Sequence, residues 1–172
     1  MAVDTRQLLA VAAVFVLLTA GVVVVQSGLL ATVDPPDGDD YQRSTVELAD
    51  ASGERLAEIS VRVADTPEKR YLGLSDTESL GPREGMLFVH DSEGEYAYVM
   101  RDMAFPLDIV FVAPDGTVTT IHHATLPPEG TSESDLTRYR GRGKYVLELP
   151  LGTANETGLD AGDRVVVPDT VG

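Results

Sequence analysis

The sequence predicts a mainly β domain, built as a small barrel or as two packed sheets with two short helices, and preceded by one N-terminal transmembrane helix. Two observations predict this fold class. Short apolar or alternating segments, separated by Gly-, Pro- and Asp-rich turns, follow one another over residues 44–168, which we assign to one domain. Before them lies one long apolar stretch without charge.

The N-terminal apolar stretch has the length of a membrane span. No charged residue occurs from Gln7 to Val33. About 18 helical residues, at about 1.5 Å each, nearly cross a hydrocarbon core that is about 30 Å thick. We therefore assign residues 1–7 to a short N-terminus and residues 8–30 to an anchor that contacts the lipid bilayer.

The charges beside this span predict its orientation. Arg6 precedes it, and an acidic, Pro- and Gly-rich segment at 31–43 follows, which we interpret as an extended linker. The positive-inside rule places residues 1–7 in the cytoplasm and the domain outside. The alternative is a signal peptide whose cleavage would secrete the domain, but its apolar part is usually only about 7–15 residues long.

Composition excludes several classes of protein. The chain has 172 residues and no cysteine, so disulfides, thiolate metal sites and a cysteine nucleophile are excluded. It has 28 Asp and Glu against 13 Lys and Arg, a formal net charge of −15, which argues against nucleic-acid binding. Salt of about 1 M would screen the repulsion among these acids. We interpret the excess as halophilic adaptation, the alternative being an acidic protein of an ordinary medium.

The first half of the domain is predicted to contain four strands and one helix. Thr66 and Pro67 are residue types favoured at a helix start, and Gly73 is favoured at a helix end. The Asp-Ser-Glu-Gly sequence at 91–94 predicts a turn between two strands. The strands are predicted at 45–50, 59–63, 85–90 and 96–100, and the second alternates apolar and polar residues.

The second half is predicted to add a hairpin, a long loop and two more strands. Residues 107–113 are apolar on both faces apart from Asp108, which predicts a central strand paired with residues 117–123. Residues 125–143 are predicted to be a loop. A strand at 144–149, a short helix capped by Thr153 and ended by Gly158, and a last strand at 163–167 complete the prediction.

Three blocks of the sequence together resemble a known family. They are ADTPEKRYLGLSDTESLGPREGMLFVH, YVMRDMAFPLDIVFVAPDGTV and KYVLELPLGTANETGLDAGDRV. In order and spacing, over residues 57–167, they are similar to the family catalogued as domain of unknown function 192. The resemblance implies a small β-rich domain, often behind a signal peptide or membrane anchor, with no established activity. In the family an aromatic pair with Trp commonly precedes a Met-Lys-Asn-Thr stretch, whereas Tyr98–Met103 stands there in this sequence. The sequence also lacks the cysteines that the later loop of the family often carries.

Asp108 is the most informative candidate site residue. A carboxylate inside an apolar strand costs several kcal/mol unless it is hydrogen-bonded or paired. Arg101 is its nearest basic candidate in sequence, with Arg70 and Arg83 as alternatives. In a structural interpretation, Asp108 accepts backbone N–H groups beside Pro106. In a functional interpretation, it is an acid or ligand-binding group at the mouth of a pocket.

The histidines and methionines raise the question of a metal. His122 and His123 are adjacent in a strand, so their side chains point to opposite faces and do not readily share one ion. His90, which ends another strand, could join one of them, and thioethers with imidazole would suit copper outside the cell. The internal methionines are Met86, Met100 and Met103. The alternative is that methionines are core residues, and we predict no metal and no cofactor.

A local basic patch stands out on this acidic chain. Arg138, Arg140 and Arg142 surround two glycines and could bind an anionic ligand, a lipid headgroup or an acidic partner surface. The alternative is a solvated loop.

We predict a membrane-anchored, extracytoplasmic module that binds or assembles without catalysis, with a membrane or cell-surface protein as a candidate partner. No nucleophile elbow, phosphate loop or dinucleotide motif is present. The alternatives are a hydrolase that uses Asp108 with His122 or Asp102 around a small cleft, and a copper binder. The ligand-binding candidates are Arg101, Asp102, Asp108, His122, Arg138, Arg140 and Arg142.

Overall fold

The computed structural model describes residues 41–171, which form a mainly β domain of seven strands with two short α-helices. The strands are β1 (Gln42–Ala49), β2 (Arg55–Ala64), β3 (Glu84–Tyr98), β4 (Leu107–Val112), β5 (Val118–Ala124), β6 (Tyr139–Pro150) and β7 (Arg164–Val166). The helices are α1 (Pro67–Leu72) and α2 (Thr153–Thr157), and single 3₁₀ turns cover Glu133–Asp135 and Asp169–Val171.

All seven strands belong to one sheet, in the order β5-β4-β6-β3-β2-β1-β7. Only β2 and β3 are parallel, and α1 lies in the connection between them. The sheet curls into a half-barrel whose two edge strands meet at one antiparallel bridge, between Thr117 and Arg164. The barrel-like prediction is therefore confirmed in this coarser form, and the alternative of two packed sheets is wrong.

Each face of the sheet carries its own apolar cluster. Leu87, Val110 and Leu147 belong to one cluster, and Phe88, Phe111 and Val146 belong to the other. Successive residues of a strand point to opposite faces, so the continuous apolar runs of the central strands supply both clusters. All six residues of β4 are buried, which confirms the prediction of a central strand.

The start and end of α1 follow the predicted pattern. Thr66 Oγ1 accepts a hydrogen bond from the backbone N–H of Lys69 at 3.3 Å, and Pro67 occupies the first helical position. Gly73 follows the helix with φ of 55°, where a glycine is favoured. Leu74, just beyond the helix, belongs to the second apolar cluster and so ties the end of α1 to that face of the sheet.

The predicted turn at residues 91–94 is wrong, because β3 continues through it as one strand of 15 residues. Between Val89 and Gly94 the strand carries a bulge, while its partner β6 advances only from Tyr145 to Gly143. Arg142 of β6 holds the bulge by donating to both carboxylate oxygens of Glu93, at 3.0 and 3.1 Å. The contact between Arg142 and Glu93, which are distant in sequence, thus keeps residues 91–94 in the strand although their composition is typical of a turn.

Two further boundaries differ from the predictions. The loop at 125–143 ends earlier, because β6 already begins at Tyr139. Gly141 fits this strand because the ring of Phe111 lies on it, and a Cβ there would come within 2.4 Å of Phe111 Cγ. Thr153 is the first helical residue of α2 rather than its cap, which is Gly152. The Oγ1 of Thr153 donates instead to the carbonyl of Pro150.

The predicted anchor at residues 8–30 lies outside the described residues, as does most of the predicted linker. Strand β1 begins at Gln42, so the ordered sheet extends into the last residues assigned to that linker. In the part of the chain that the structure describes, neither helix has the length or the apolar content to cross a membrane.

Candidate functional site

Asp108 is sealed beneath the start of α2 and has no exposed surface. Its Oδ2 accepts hydrogen bonds from the backbone N–H groups of Gly152, at 3.0 Å, and Ala154, at 2.8 Å. Its Oδ1 lies 2.7 Å from Nδ1 of His123. The carboxylate of Asp108 therefore caps α2 from a neighbouring strand, a position where negative charge is favourable.

These contacts correct two predictions about Asp108. The N–H groups it accepts belong to the start of α2 and not to the bend beside Pro106. Its basic partner is His123 and not Arg101, since strand pairing places Asp108 directly opposite His123. Arg101 instead donates to the carbonyl of Tyr71.

His122 does not join Asp108, which corrects the pair proposed for the hydrolase. Its Nε2 lies 2.7 Å from the carbonyl oxygen of Arg140, and its ring meets the ring of Phe111 edge-on. The prediction that His122 and His123 point to opposite faces is confirmed by these separate partners. Asp102 is also remote: no hydrogen bond or ion pair within residues 41–171 joins it to Asp108 or to a histidine.

The predicted basic patch lies partly in strand β6, and an ion pair offsets part of its positive charge. Arg140 and Arg142 belong to β6, whereas Arg138 precedes the strand, and all three are exposed. Arg142 forms an ion pair with Glu93 in the bulge of β3. None of the three lines any of five cavities located in residues 41–171.

The residues proposed for copper are dispersed. Met86 and Met100 are buried in the second apolar cluster, while Nε2 of His90 contacts the hydroxyl of Tyr98. Among residues 41–171, no group of three or more His, Cys, Asp or Glu side chains is arranged to hold a metal ion.

A cavity of about 260 Å³ lies between α1, β3 and β6. Glu148 of β6 lines it from within the second apolar face, where its neighbours are core residues such as Met86, its partner in β3. Arg70 and Arg101 line the same cavity from α1 and from the segment after β3. This cavity brings together ionisable groups from four parts of the chain.

Glu148 is the most unusual of these groups. The residue is only 5% exposed, and no donor within residues 41–171 hydrogen-bonds to its carboxyl. Because no fully buried side-chain oxygen in those residues lacks a partner, the carboxyl is open to the cavity that it lines. Burial raises the pKa of Glu148 to about 8. At neutral pH this carboxyl is therefore mainly protonated, because ionisation in a desolvated site is costly.

Tyr98 and His90 form a pair beside Glu148. The hydroxyl of Tyr98 lies 3.0 Å from Nε2 of His90, whose ring stacks on Tyr96 with centroids 3.5 Å apart. Burial, followed by the charge of Arg70, lowers the pKa of His90 to about 4. Burial, reinforced by the neighbouring Glu148, raises the pKa of Tyr98. Both side chains are therefore neutral at neutral pH.

Two arginines supply the formal charge of the cavity. Arg70 donates through Nη1 to the carbonyls of Asp65 and Val89, and no carboxylate within residues 41–171 forms an ion pair with it. Arg101 lies over the ring of Tyr71, 4.0 Å from its centroid, and pairs with Glu133 at 3.6 Å. At neutral pH the cavity is thus locally positive on a chain of net charge −15.

Of the seven sequence candidates, only Arg101 lines this cavity. Glu148, Tyr98 and Arg70 were missed as members of one site. The signal for Glu148 was present, because it is a lone acid between Leu147 and Leu149 in an apolar strand, the same pattern that singled out Asp108. No sequence signal shows that α1 would bring Arg70 to it.

The fold and this cavity define a small half-barrel domain with a buried acid facing a pocket. The chain belongs to the DUF192 family, described as "Uncharacterized ACR", whose profile matches residues 38–167. The resemblance seen in the sequence is thereby confirmed. No curated protein matches the sequence.

Two crystal structures are similar to this chain. A proposed transcription regulator from Sinorhizobium meliloti 1021 is 34% identical, with a TM-score of 0.64 over 73% of this chain and 93% of its own. A protein of unknown function from Novosphingobium aromaticivorans DSM 12444 is 28% identical, with a TM-score of 0.66 over 80% of this chain and 94% of its own.

Replacing Asp108 by Asn is expected to destabilise the domain by about 2–4 kcal/mol, because an amide has one acceptor oxygen for the two backbone N–H groups and the His123 contact that the two oxygens of Asp108 divide between them. Chemical denaturation in about 1 M salt measures the loss. Asp115→Asn is the matched control, since Asp115 is exposed and accepts the backbone N–H of Thr117. Equal losses in the two variants would contradict the capping role of Asp108.

Replacing Glu148 by Gln is expected to stabilise the domain increasingly as the pH rises. The folded protein binds a proton with a pKa of about 8, against an ordinary value of 4.5. The contribution of Glu148 to stability is therefore complete below about pH 4.5 and declines up to about pH 8, by at most about 1.4 kcal/mol per unit. Denaturation of both proteins between pH 5 and 9 measures the difference, which a normal carboxyl would leave constant.

Proposed function

We propose that the chain is a membrane-anchored module whose domain lies outside the cytoplasm and binds a small organic ligand, without catalysis, in the cavity above Glu148. The observation that carries this proposal is a carboxyl, on a residue only 5% exposed, that lines a cavity and accepts no hydrogen bond from residues 41–171. No fully buried side-chain oxygen or nitrogen in those residues lacks a partner, so the carboxyl of Glu148 is reached from the cavity itself. A ligand in the cavity would therefore contact this carboxyl directly.

The chemistry of the cavity favours binding over catalysis. A general base at neutral pH needs an available lone pair and a pKa near the working pH. His90 has a pKa of about 4 and its Nε2 is engaged with Tyr98. Glu148 is mainly protonated, so neither group is poised to remove a proton.

The hydrolase alternative would use Asp108 with His123 in place of His122. Asp108 orients the His123 ring through Nδ1, which is the part of a catalytic arrangement that the structure supports. Within residues 41–171, however, no hydroxyl hydrogen-bonds to His123, and His123 lines none of the five cavities located there. We therefore favour the binding module.

The placement of the module rests on the sequence. The apolar segment 8–30 has the length of a span, with Arg6 before it and several aspartates after it. The acidic excess would keep an exposed domain soluble in concentrated salt. A membrane or cell-surface protein remains the proposed partner class, to which the domain would present its ligand.

Protease added to intact cells is expected to degrade the domain while residues 1–30 stay with the membrane fraction. Immunoblotting of membrane and soluble fractions with an antibody against the domain gives the measurement. A domain that is cut only after lysis would contradict the external placement. A soluble product that starts after residue 30 would support the secreted alternative.

A library of small organic molecules is expected to yield ligands that Leu72→Trp displaces, because Leu72 lines the cavity and an indole would fill it. Ligand-observed NMR on the full chain in detergent measures binding. Leu80→Trp is the matched control. Leu80 is half-buried, as Leu72 is, but it lies outside this cavity. Failure of the whole library to bind would overturn the proposed function, and chemical conversion of a hit would overturn its non-catalytic part.

A further inference from the structure

We infer that the ligand of this cavity is a small organic acid, bound as its carboxylate, which the guanidinium of Arg70 and the carboxyl of Glu148 hold together. The inference rests on the proposed function and specifies the chemical class that the cavity accepts. It stands on three observations: the Arg70 guanidinium that two backbone carbonyls fix beside the cavity, the nearly buried Glu148 carboxyl that lines the same cavity, and the apolar walls.

The charge of the cavity favours an anion. Arg70 lines the cavity and forms no ion pair within residues 41–171, so no carboxylate there offsets its charge at ion-pair distance. Its Nη1 is used by two backbone carbonyls, Asp65 and Val89, which fix the guanidinium in place. A guanidinium held in this way presents its remaining N–H groups in a fixed geometry, which suits a carboxylate.

Arg101 adds a second positive charge at the mouth of the cavity. Its guanidinium is fixed over Tyr71 and lies 3.6 Å from a carboxylate oxygen of Glu133 and 4.0 Å from one of Asp102. Because these carboxylates offset part of its charge, Arg101 would attract an anion less strongly than Arg70, which would hold it.

Glu148 contributes a donor rather than a charge. The ionisable and charged groups that line the cavity with it are Arg70, Tyr71, His90, Tyr96, Tyr98 and Arg101. None of them is a carboxylic acid, and Asp91 is the one acid that acts on His90 from outside the lining. A protonated carboxyl donates a short, charge-assisted hydrogen bond to a carboxylate, which is among the stronger bonds open to a buried group.

The walls of the cavity define the rest of the ligand. Phe88, Leu74, Val99 and Met103 offer apolar surface, and Tyr96 and Tyr98 offer ring faces. The cavity volume of about 260 Å³ lies just below the range of about 300–1,000 Å³ that is typical of ligand pockets, so the ligand is small. An acid with one aromatic or branched aliphatic group fits this size and lining.

This arrangement makes binding depend on pH with a defined sign. The carboxylate ligand binds the form of Glu148 that carries a proton, and that form disappears as the pH rises through about 8. Affinity should therefore be constant between about pH 6 and 7 and fall about tenfold per unit well above 8. A cationic ligand would show the opposite trend, because it would bind the ionised carboxyl.

Calorimetric titration of the full chain in detergent, at fixed salt, with benzoate, benzamide and benzylamine tests the inference. The three probes share one ring and differ in charge. We expect benzoate to bind at least tenfold more tightly than benzamide at pH 7, benzylamine to bind no better than benzamide, and benzoate affinity to fall above pH 8.

Three variants assign the effect to named groups. Glu148→Gln should keep benzoate binding, since an amide N–H can donate, but should abolish the fall above pH 8. Arg70→Gln should weaken benzoate at least tenfold and leave benzamide within about twofold. Arg83→Gln is the matched control, because it removes one positive charge from an exposed side chain outside the cavity and should change neither probe.

Tighter binding of benzylamine than of benzoate would overturn the inference, as would a benzoate affinity that does not fall above pH 8, or equal losses in Arg70→Gln and Arg83→Gln. Absence of binding by all three probes would also overturn it. If library molecules still bind and Leu72→Trp displaces them, the proposed function survives that result. If no molecule binds, both fail.

Discussion

The burial of the Glu148 carboxyl, with no hydrogen-bond donor from residues 41–171, is the constraint on which the properties of the cavity depend. Desolvation opposes ionisation, so the group stays protonated at neutral pH and cancels none of the charge of the two arginines beside it. The cavity is consequently positive within an acidic protein. Burial likewise keeps the side chains of His90 and Tyr98 neutral, and Nε2 of His90 contacts the hydroxyl of Tyr98.

Asp108 shows the role of a buried carboxylic acid whose oxygens accept hydrogen bonds from the protein. Both acids interrupt apolar strands, and both are almost completely buried. Asp108 accepts two backbone N–H groups and contacts His123, so it fastens α2 to the sheet and has little capacity left for a ligand. Glu148 lines a cavity, and its carboxyl accepts no hydrogen bond from residues 41–171. The number of donors around a buried acid, more than its burial, therefore distinguishes a structural role from a binding role.

Local signals predicted much of the fold, and contacts between distant residues account for the errors. The cap of α1 by Thr66 and the burial of β4 follow from residue type and spacing. The turn composition at 91–94 was misleading because Arg142 holds Glu93 across the sheet. For the site, the pattern that marked Asp108 applied equally to Glu148, but the approach of Arg70 and Tyr98 depends on how β2, α1 and β3 connect, which no spacing in the sequence encodes.

The protonation state of Glu148 can be observed directly. Carbon-13 NMR of the full chain, labelled at the side-chain carboxyls of glutamate and assigned by comparison with Glu148→Gln, would follow the Cδ resonance of Glu148 between pH 4 and 10. A transition near pH 8, well separated from those of exposed glutamates, is expected. A transition near the ordinary value of 4.5 would show an ionised, solvated carboxyl at neutral pH, and the positive cavity and its acid ligand would both be contradicted.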